Sequence, residues 1–523
     1  MLARGRGRQG AEGAENGDDE GEEDGVFDHD HDDNERVCVE EGVGESNLLM
    51  DGEGRLGEEW ESAEDVVVEL VGLLGFGRFQ WMLFGVAGLG WAADVALIFG
   101  VGLIIPVLTS AFAIEPAARA GLVGSVTFGG MFVGSWVFGT LGDMVGRKPV
   151  FVVTSLLTSV FGLLSAMAPS FALFLVLRAA VGVFLGGNLP IDFSLFLEWT
   201  PLKDRDRFTI LLTGWSIVAT VFATGAGYLT LRGEDPPWRL FLALLSLPSA
   251  LTTFCRPWVP ESPRFLICAG QGHTCANALQ HAAEMNSVEL PSHLLDRLRQ
   301  HTDVSGGANL VTVSDRSCVP RVGSVASQNA ALFQGSQMRR VTVLLIFIWL
   351  CSSFAFYSFS TWAPTLMNAH GSEDNTYFIL LSTTAFQVAG LWCAVVLNAK
   401  IGPARTLAIY LAVDGAAVLL FTAFSGTFAG MFSGYAAFNF GCSGFFGLLY
   451  LFTNLCFPTP LRTTGFGLCA AANRCGGVLA PVLAGLLYQA IGVPACVVFA
   501  GFFLAASALT HILARNSLLL LSQ

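Results

Sequence analysis

Five ionisable side chains fall inside long apolar runs of this 523-residue chain: Asp94, Arg178, Asp192, Asp414 and Arg474. Each costs about 3 kcal/mol at the middle of a membrane helix, so each is expected to face a polar cavity or another charge. Asp94 stands near the middle of the run 78–108. A buried carboxylate without a fixed cation is least costly when it holds a proton, which suits proton uptake and release. The competing reading makes Asp94 a structural partner of Arg178 or Asn188. Asp192, in "GGNLPIDFSLFLEW", follows Pro190, which removes a backbone hydrogen bond and frees a carbonyl near Asn188 and Asp192. Asp192 therefore reads as cavity-lining, or as a partner of a gate. Arg178 reads as a strut between helices or as a contact for an anion. Gln387, Asn439 and Asn473 are polar groups on apolar runs that either face the cavity or bond helix to helix. Asp414 carries no functional reading.

A second constellation is the loop "GTLGDMVGRKP", with Gly139, Asp143, Gly146, Arg147 and Lys148. A carboxylate beside two cations in a short loop can lock two helix ends together and release them. The glycines permit a tight turn and close helix approach. An ordinary basic loop would explain the cations but not the acid or the two glycines.

These residues need helices to hold them. Hydrophobic residues make up 53% of the chain and charged residues only 13%, about half the charged share of a soluble domain. Twelve apolar segments are long enough to span a bilayer, near 80–108, 120–141, 150–168, 171–197, 209–231, 238–258, 341–364, 376–397, 405–424, 428–453, 464–488 and 494–514. The fold class is an all-α membrane protein of twelve transmembrane helices in two six-helix halves. The expected divisions are an acidic tail (1–58), a first half (59–260), a central polar loop (261–340), a second half (341–515) and a C-terminal tail (516–523). Residues 1–69 hold 24 acids against five Arg, a net of −19, and the remainder is net +5. The tail is too polar to offset its ordering entropy, so it is expected to be disordered. Its His29 and His31 among carboxylates read as a solvated acidic run, with weak divalent-ion binding as the alternative. "EEWESAEDVVVELVGLLGFGRF" (58–79) predicts a short amphipathic helix leading into the first span. No cleavable signal segment is visible.

Sixteen Lys and Arg lie in alternate loops and three in the others, which places the basic set, both termini and the central loop in the cytoplasm. Most of the twelve cysteines lie in apolar runs and read as packing residues. No spacing of His or Cys forms a metal or catalytic constellation, and no phosphate-cradling glycine loop is present. No enzyme activity, metal, cofactor or nucleic-acid partner is expected.

The loop after the second span is similar to the signature of the major facilitator superfamily. Further agreement comes from "LRAAVGVFLGG" (177–187), "LEWTPLKDR" (197–205), "PESPRFL" (260–266) and the segment 449–481 with Pro458, Arg462, Gly465, Gly467, Arg474 and Pro481. "VELVGLLGFGRFQW", "GLGWAAD" and "IWLCSSFAFYSF" resemble the synaptic-vesicle-related (SVOP-like) branch, near sugar and organic-ion porters. The resemblance spans about 59–515. It implies two six-helix halves rocking around a central cavity, moving a small solute by alternating access, with proton coupling and a monomeric state in the lipid bilayer. The implied cavity set is Asp94, Arg178, Asn188, Asp192, Gln387 and Asn439. The implied gate set is Gly139, Asp143, Gly146, Arg147, Lys148, Glu198, Arg205, Glu261, Arg264, Arg462 and Arg474, with Asp143 reaching across to the eleventh span. The second half departs from the pattern. "LNAKIGPARTL" has Ala399 where an acid is usual and Pro403–Ala404 where arginines are usual, Leu455 replaces an acid, and "HILARNSLLL" lacks one. An asymmetric gate follows. Two carboxylates in the cavity would favour cationic or polyhydroxylated solutes. The eroded second half and the acidic tail leave open a second class, a non-transporting sensor or protein-binding platform.

Overall fold

The computed structural model describes residues 63–114, 117–233, 236–303, 330, 332–370, 373–457 and 461–517. The acidic tail, with His29 and His31, and residues 518–523 lie outside the described residues, as do most of the expected central-loop residues after 303.

Twelve helices among the described residues are long and apolar enough to cross a membrane. They are span 1 (Arg78–Ala111), span 2 (Arg119–Gly142), span 3 (Arg147–Ala166), span 4 (Phe171–Glu198), span 5 (Leu202–Thr230) and span 6 (Trp238–Trp258). The second six are span 7 (Ser336–Ala369), span 8 (Asp374–Ile401), span 9 (Pro403–Ala423), span 10 (Phe428–Cys456), span 11 (Thr464–Ile491) and span 12 (Ala495–Arg515). In hydrocarbon every backbone N–H and C=O must be satisfied within the protein, and a helix does this along its own length. Span 1 has 34 residues. At 1.5 Å per residue it rises about 51 Å, well beyond the roughly 30 Å hydrocarbon layer. The same N-cap chemistry opens span 4 and span 10. Ser170 accepts from the Leu173 N–H, and Thr427 accepts from the Gly430 N–H.

Glycine sets the helix contacts. A Cβ at Gly130 or Gly134 of span 2 would overlap the span 4 carbonyls of Ala179 or Val183, and one at Gly182 or Gly186 of span 4 would overlap Thr127 or Met131 carbonyls. Two backbones therefore meet directly, as small residues allow. The second half repeats this between span 8 and span 10, where a Cβ at Gly390 would overlap the Phe440 carbonyl. The halves meet along span 2 and span 11, where Ser125 Oγ donates to the Val478 carbonyl at 2.6 Å and Gly121 packs on the Pro481 carbonyl. Span 1 meets span 7 at Gly102, and span 5 meets spans 8 and 10 at Gly214 and Gly447.

The polar central loop is in part a folded element. It contains the helices Pro263–Cys268, Gly272–Asn286 and Ser292–Asp303, which pack with the predicted N-terminal helix, Ala63–Leu74, around Leu70, Leu74, Leu279 and Leu298. These helices are short and their apolar residues few, so the low hydropathy hides them. Burial pushes the Cys275 thiol in this core up to about 12. Asn286 fastens the unit to span 1. Its Nδ2 donates to the Leu74 carbonyl and to Gln80 Oε1, and its Oδ1 accepts from the Phe79 N–H.

Candidate functional site

A cavity of about 120 Å³ lies between the halves. The first half contributes Trp91, Val95, Ile98, Phe99 and Gly102 of span 1 and Thr213, Ser216 and Thr220 of span 5. The second half contributes aromatic rings of spans 7 and 10, including Phe356, Tyr357, Tyr435, Phe438, Phe446 and Tyr450, with Gln387, Asn439 and Arg474 among its polar groups. Gln387 Nε2 donates to Asn439 Oδ1 at 2.5 Å, and Asn439 Nδ2 donates to Thr383 Oγ1 at 2.8 Å. Gln387 Oε1, Trp91 Nε1 and Arg474 Nε are buried without a partner.

Only Gln387 and Asn439 of the expected cavity set stand on this wall. Asp94, Arg178, Asn188 and Asp192 are not on it; each is buried, at most 1% exposed. Asp192 is held there by a cation that the sequence analysis did not single out. Arg256, at the end of span 6, folds inward and donates to both Asp192 oxygens, at 2.9 and 3.4 Å. The pair is bidentate and lies over the Phe151 ring. Gly90 makes room for it, because a Cβ there would lie 2.5 Å from Arg256 Nη2 and 2.8 Å from Asp192 Oδ2. The signal available in the sequence was a carboxylate in an apolar run that required a cation.

Asp94 is held differently. Its Oδ1 accepts from Asn188 Nδ2 at 3.3 Å, and Asn188 Oδ1 in turn accepts from Thr154 Oγ1 at 2.5 Å and Ser155 Oγ at 3.4 Å. Asp94 Oδ2 is buried with no partner. Asp94 has no ion pair among the described residues, although the Arg256 charge and, more weakly, that of Arg474 act on it. Trp91 and Ile98, one turn to either side on the same helix face, are on the cavity wall. Arg178 is a strut, its Nη2 donating to the Leu97 carbonyl of span 1 at 3.1 Å. Asp414 is fully buried and neither oxygen has a partner.

The gate residues gather where the 2–3 loop, the end of span 4 and the segment after span 6 meet. Arg147 pairs with Glu198, which also accepts from the Ser262 hydroxyl. Glu261 accepts the Arg147 N–H at 3.2 Å and the Lys148 N–H at 3.0 Å, capping span 3. Lys148 Nζ donates to the Pro257 carbonyl at 2.8 Å, Arg205 Nε to the Thr200 carbonyl at 3.1 Å, and Arg264 pairs with Glu64 at 3.2 Å. These contacts fasten the first half to itself rather than to the second. No side-chain atom stands within 4 Å of a Cβ built at Gly139. The side chains of Asp143 and Arg462 lie outside the described residues, and with them the expected reach of Asp143 to span 11. Arg474, expected at the gate, is instead on the cavity wall.

Sequence reasoning also missed an aromatic chain that crosses between the halves. Trp91 meets Phe193 (centroids 4.9 Å apart), Phe193 meets Tyr450 (5.2 Å), and Tyr450 meets Trp349 (5.4 Å). Four rings on four different spans leave no local pattern to read.

Residues 76–515 match the sugar (and other) transporter family, and the chain belongs to that family of the major facilitator superfamily. It is 29% identical to the putative transporter svop-1 of Caenorhabditis elegans, over 80% of this chain and 79% of that protein. It is 27% identical to organic cation/carnitine transporter 7 of Arabidopsis thaliana, over 80% of this chain and 87% of that one. The fold matches the proton:xylose symporter XylE of Escherichia coli bound to 6-bromo-6-deoxy-D-glucose, with a TM-score of 0.65 and 14% identity, over 84% of this chain and 95% of that one. The protein is thus an integral membrane transporter of small solutes.

Proposed function

We propose that the protein moves a small organic solute by alternating access, with a proton travelling on Asp94. The observation that supports this most is the contrast between two buried acids of one half. Asp192 is neutralised by Arg256, whereas Asp94 keeps one oxygen free and lies between two residues of the cavity wall. A carboxylate so placed is tolerated in a low-dielectric site when protonated and needs hydration or a cation when it is not. Its proton occupancy therefore biases the position of span 1, and span 1 is where solute and proton meet. The excess of Lys and Arg on the face carrying the 2–3 loop and the central helices supports a cytoplasmic position for that face. The platform reading is disfavoured by a cavity whose walls keep unpaired hydrogen-bonding groups.

The test is uptake into proteoliposomes under an imposed inward proton gradient, with a labelled panel of hexoses, organic cations and carboxylates. The wild type is expected to accumulate one class several-fold, and Asp94→Asn to lose accumulation while keeping exchange across the membrane. Full gradient-driven accumulation by Asp94→Asn would sink the coupling claim.

A further inference from the structure

We infer that the solute is a monocyclic aromatic ring bearing a single carboxylate; this rests on the transport reading and adds the substrate class. Four features of the cavity point there. The first is size. A cavity of about 120 Å³ is of the same order as the roughly 150 Å³ of an engineered apolar cavity that binds benzene, which fits a solute of one small ring better than a larger one.

The second is charge. The wall carries no Asp or Glu, and Arg474 is its one cation. Among the described residues Arg474 makes no ion pair, and its Nε is buried without a partner. A buried guanidinium that keeps an unpaired N–H is costly, and an anionic solute relieves that cost. Neither carboxylate that argued for a cation from sequence is on this wall: Arg256 pairs with Asp192, and Asn188 donates to one oxygen of Asp94.

The third is the hydrogen-bond inventory. Trp91 Nε1 and Arg474 Nε are unpaired donors and Gln387 Oε1 is an unpaired acceptor. A carboxylate uses two donors, and one further polar hydrogen on the solute would use Gln387. A sugar would bring many hydroxyls to a wall whose amides Gln387 and Asn439 are bonded to each other and whose Thr213, Thr220 and Ser443 donate to carbonyls of their own helices, which leaves Ser216, Ser360, Thr361 and the tyrosine hydroxyls as its neutral partners. Neutral hydroxyls would leave the Arg474 charge uncompensated, whereas a carboxylate engages it. The fourth is the ring-lined wall, which offers edge and face contacts to an aromatic solute.

The experiment is binding by calorimetry to the purified full chain in lipid nanodiscs, with four probes of similar size: benzoate, benzyl alcohol, benzylamine and D-glucose. Benzoate is expected to bind at least tenfold more tightly than benzylamine or D-glucose. Arg474→Gln is expected to lose that tenfold preference while benzyl alcohol shifts less than threefold. Trp91→Phe keeps the ring but removes the N–H donor, and is expected to weaken benzoate several-fold, which covers the case in which Arg474→Gln does not fold. Tighter binding of benzylamine or D-glucose, equal benzoate binding in both variants, or no benzoate binding by folded wild-type protein overturns the inference. Benzoate binding with the expected pattern but without proton-driven uptake would uphold the substrate class and overturn the coupling reading instead.

Discussion

The 2–3 loop and the 8–9 loop occupy equivalent places in the two halves, and both turn on a glycine with positive φ, Gly146 at 109° and Gly402 at 79°. What surrounds them differs. Beside Gly146, Glu261 caps the first N–H groups of span 3 and Arg147 pairs with Glu198. Beside Gly402 no atom lies near a built Cβ, and span 9 starts at Pro403, whose nitrogen has no hydrogen to cap. One loop is fastened by charge, the other by backbone shape alone. The same division runs into the membrane. The first half buries Asp94, Arg178, Asp192 and Arg256, while the second lines the cavity with rings and neutral amides, plus Arg474. On the proposed reading the two halves take different work: the first holds the charges that a proton would address, and the second presents most of the surface that would meet solute. Span 1 joins the two tasks, because Asp94 sits between Trp91 and Ile98.

The largest break in this comparison is Arg256→Met. It leaves the Asp192 carboxylate buried without its cation and is expected to destabilise the protein by about 3–5 kcal/mol. The double variant Asp192→Asn with Arg256→Met removes both charges and is expected to recover most of that loss, as read from denaturant unfolding in lipid nanodiscs. If the single variant is as stable as the wild type, charge does not hold the first half together.

A smaller effect separates the two loops. Gly146→Ala and Gly402→Ala both force a side chain into a conformation that glycine alone adopts comfortably, at about 1–3 kcal/mol each. At Gly146 the new Cβ would also lie 2.6 Å from Glu261 Oε2 and disturb the cap on span 3. Gly146→Ala is therefore expected to cost more than Gly402→Ala and to slow solute exchange further. Equal costs in thermal unfolding would mean that Glu261 contributes nothing to the loop.

The spans were legible in the sequence because hydrocarbon imposes one solution, a helix of about twenty apolar residues, and the twelve runs match the helices to within a few residues at most ends. Gly182 and Gly186 lie in "LRAAVGVFLGG", which was read from resemblance, and their close approach to span 2 needed the structure. The site was legible only in part. Asp94 and Asn188 were identified as possible partners, and they bond. Arg256 was hidden because its partner lies 64 residues earlier and because a basic residue at a helix end has an ordinary explanation in the positive-inside bias. Arg474 was placed at the gate because its motif runs on from Arg462, although twelve residues of helix separate them by about 18 Å. Three-dimensional pairing, rather than residue type, decided both cases.

The smallest expected effect comes from Asp414, the acid in the second half. It is as buried as Asp94, but its surroundings are those of packing: Gly441 lies against its carboxyl, and it is not on the cavity wall. Neither oxygen accepts a hydrogen bond. A charged carboxylate there would meet no compensating group, so the side chain is tolerated as a neutral acid, and Asn is close to it in shape. Asp414→Asn is expected to change stability by less than about 1 kcal/mol and to leave the dependence of uptake on the proton gradient as in the wild type. Asp94→Asn in the same proteoliposomes removes that dependence. Loss of coupling in Asp414→Asn would move proton handling into both halves and end the division of labour, whereas its persistence isolates the proton's path to span 1.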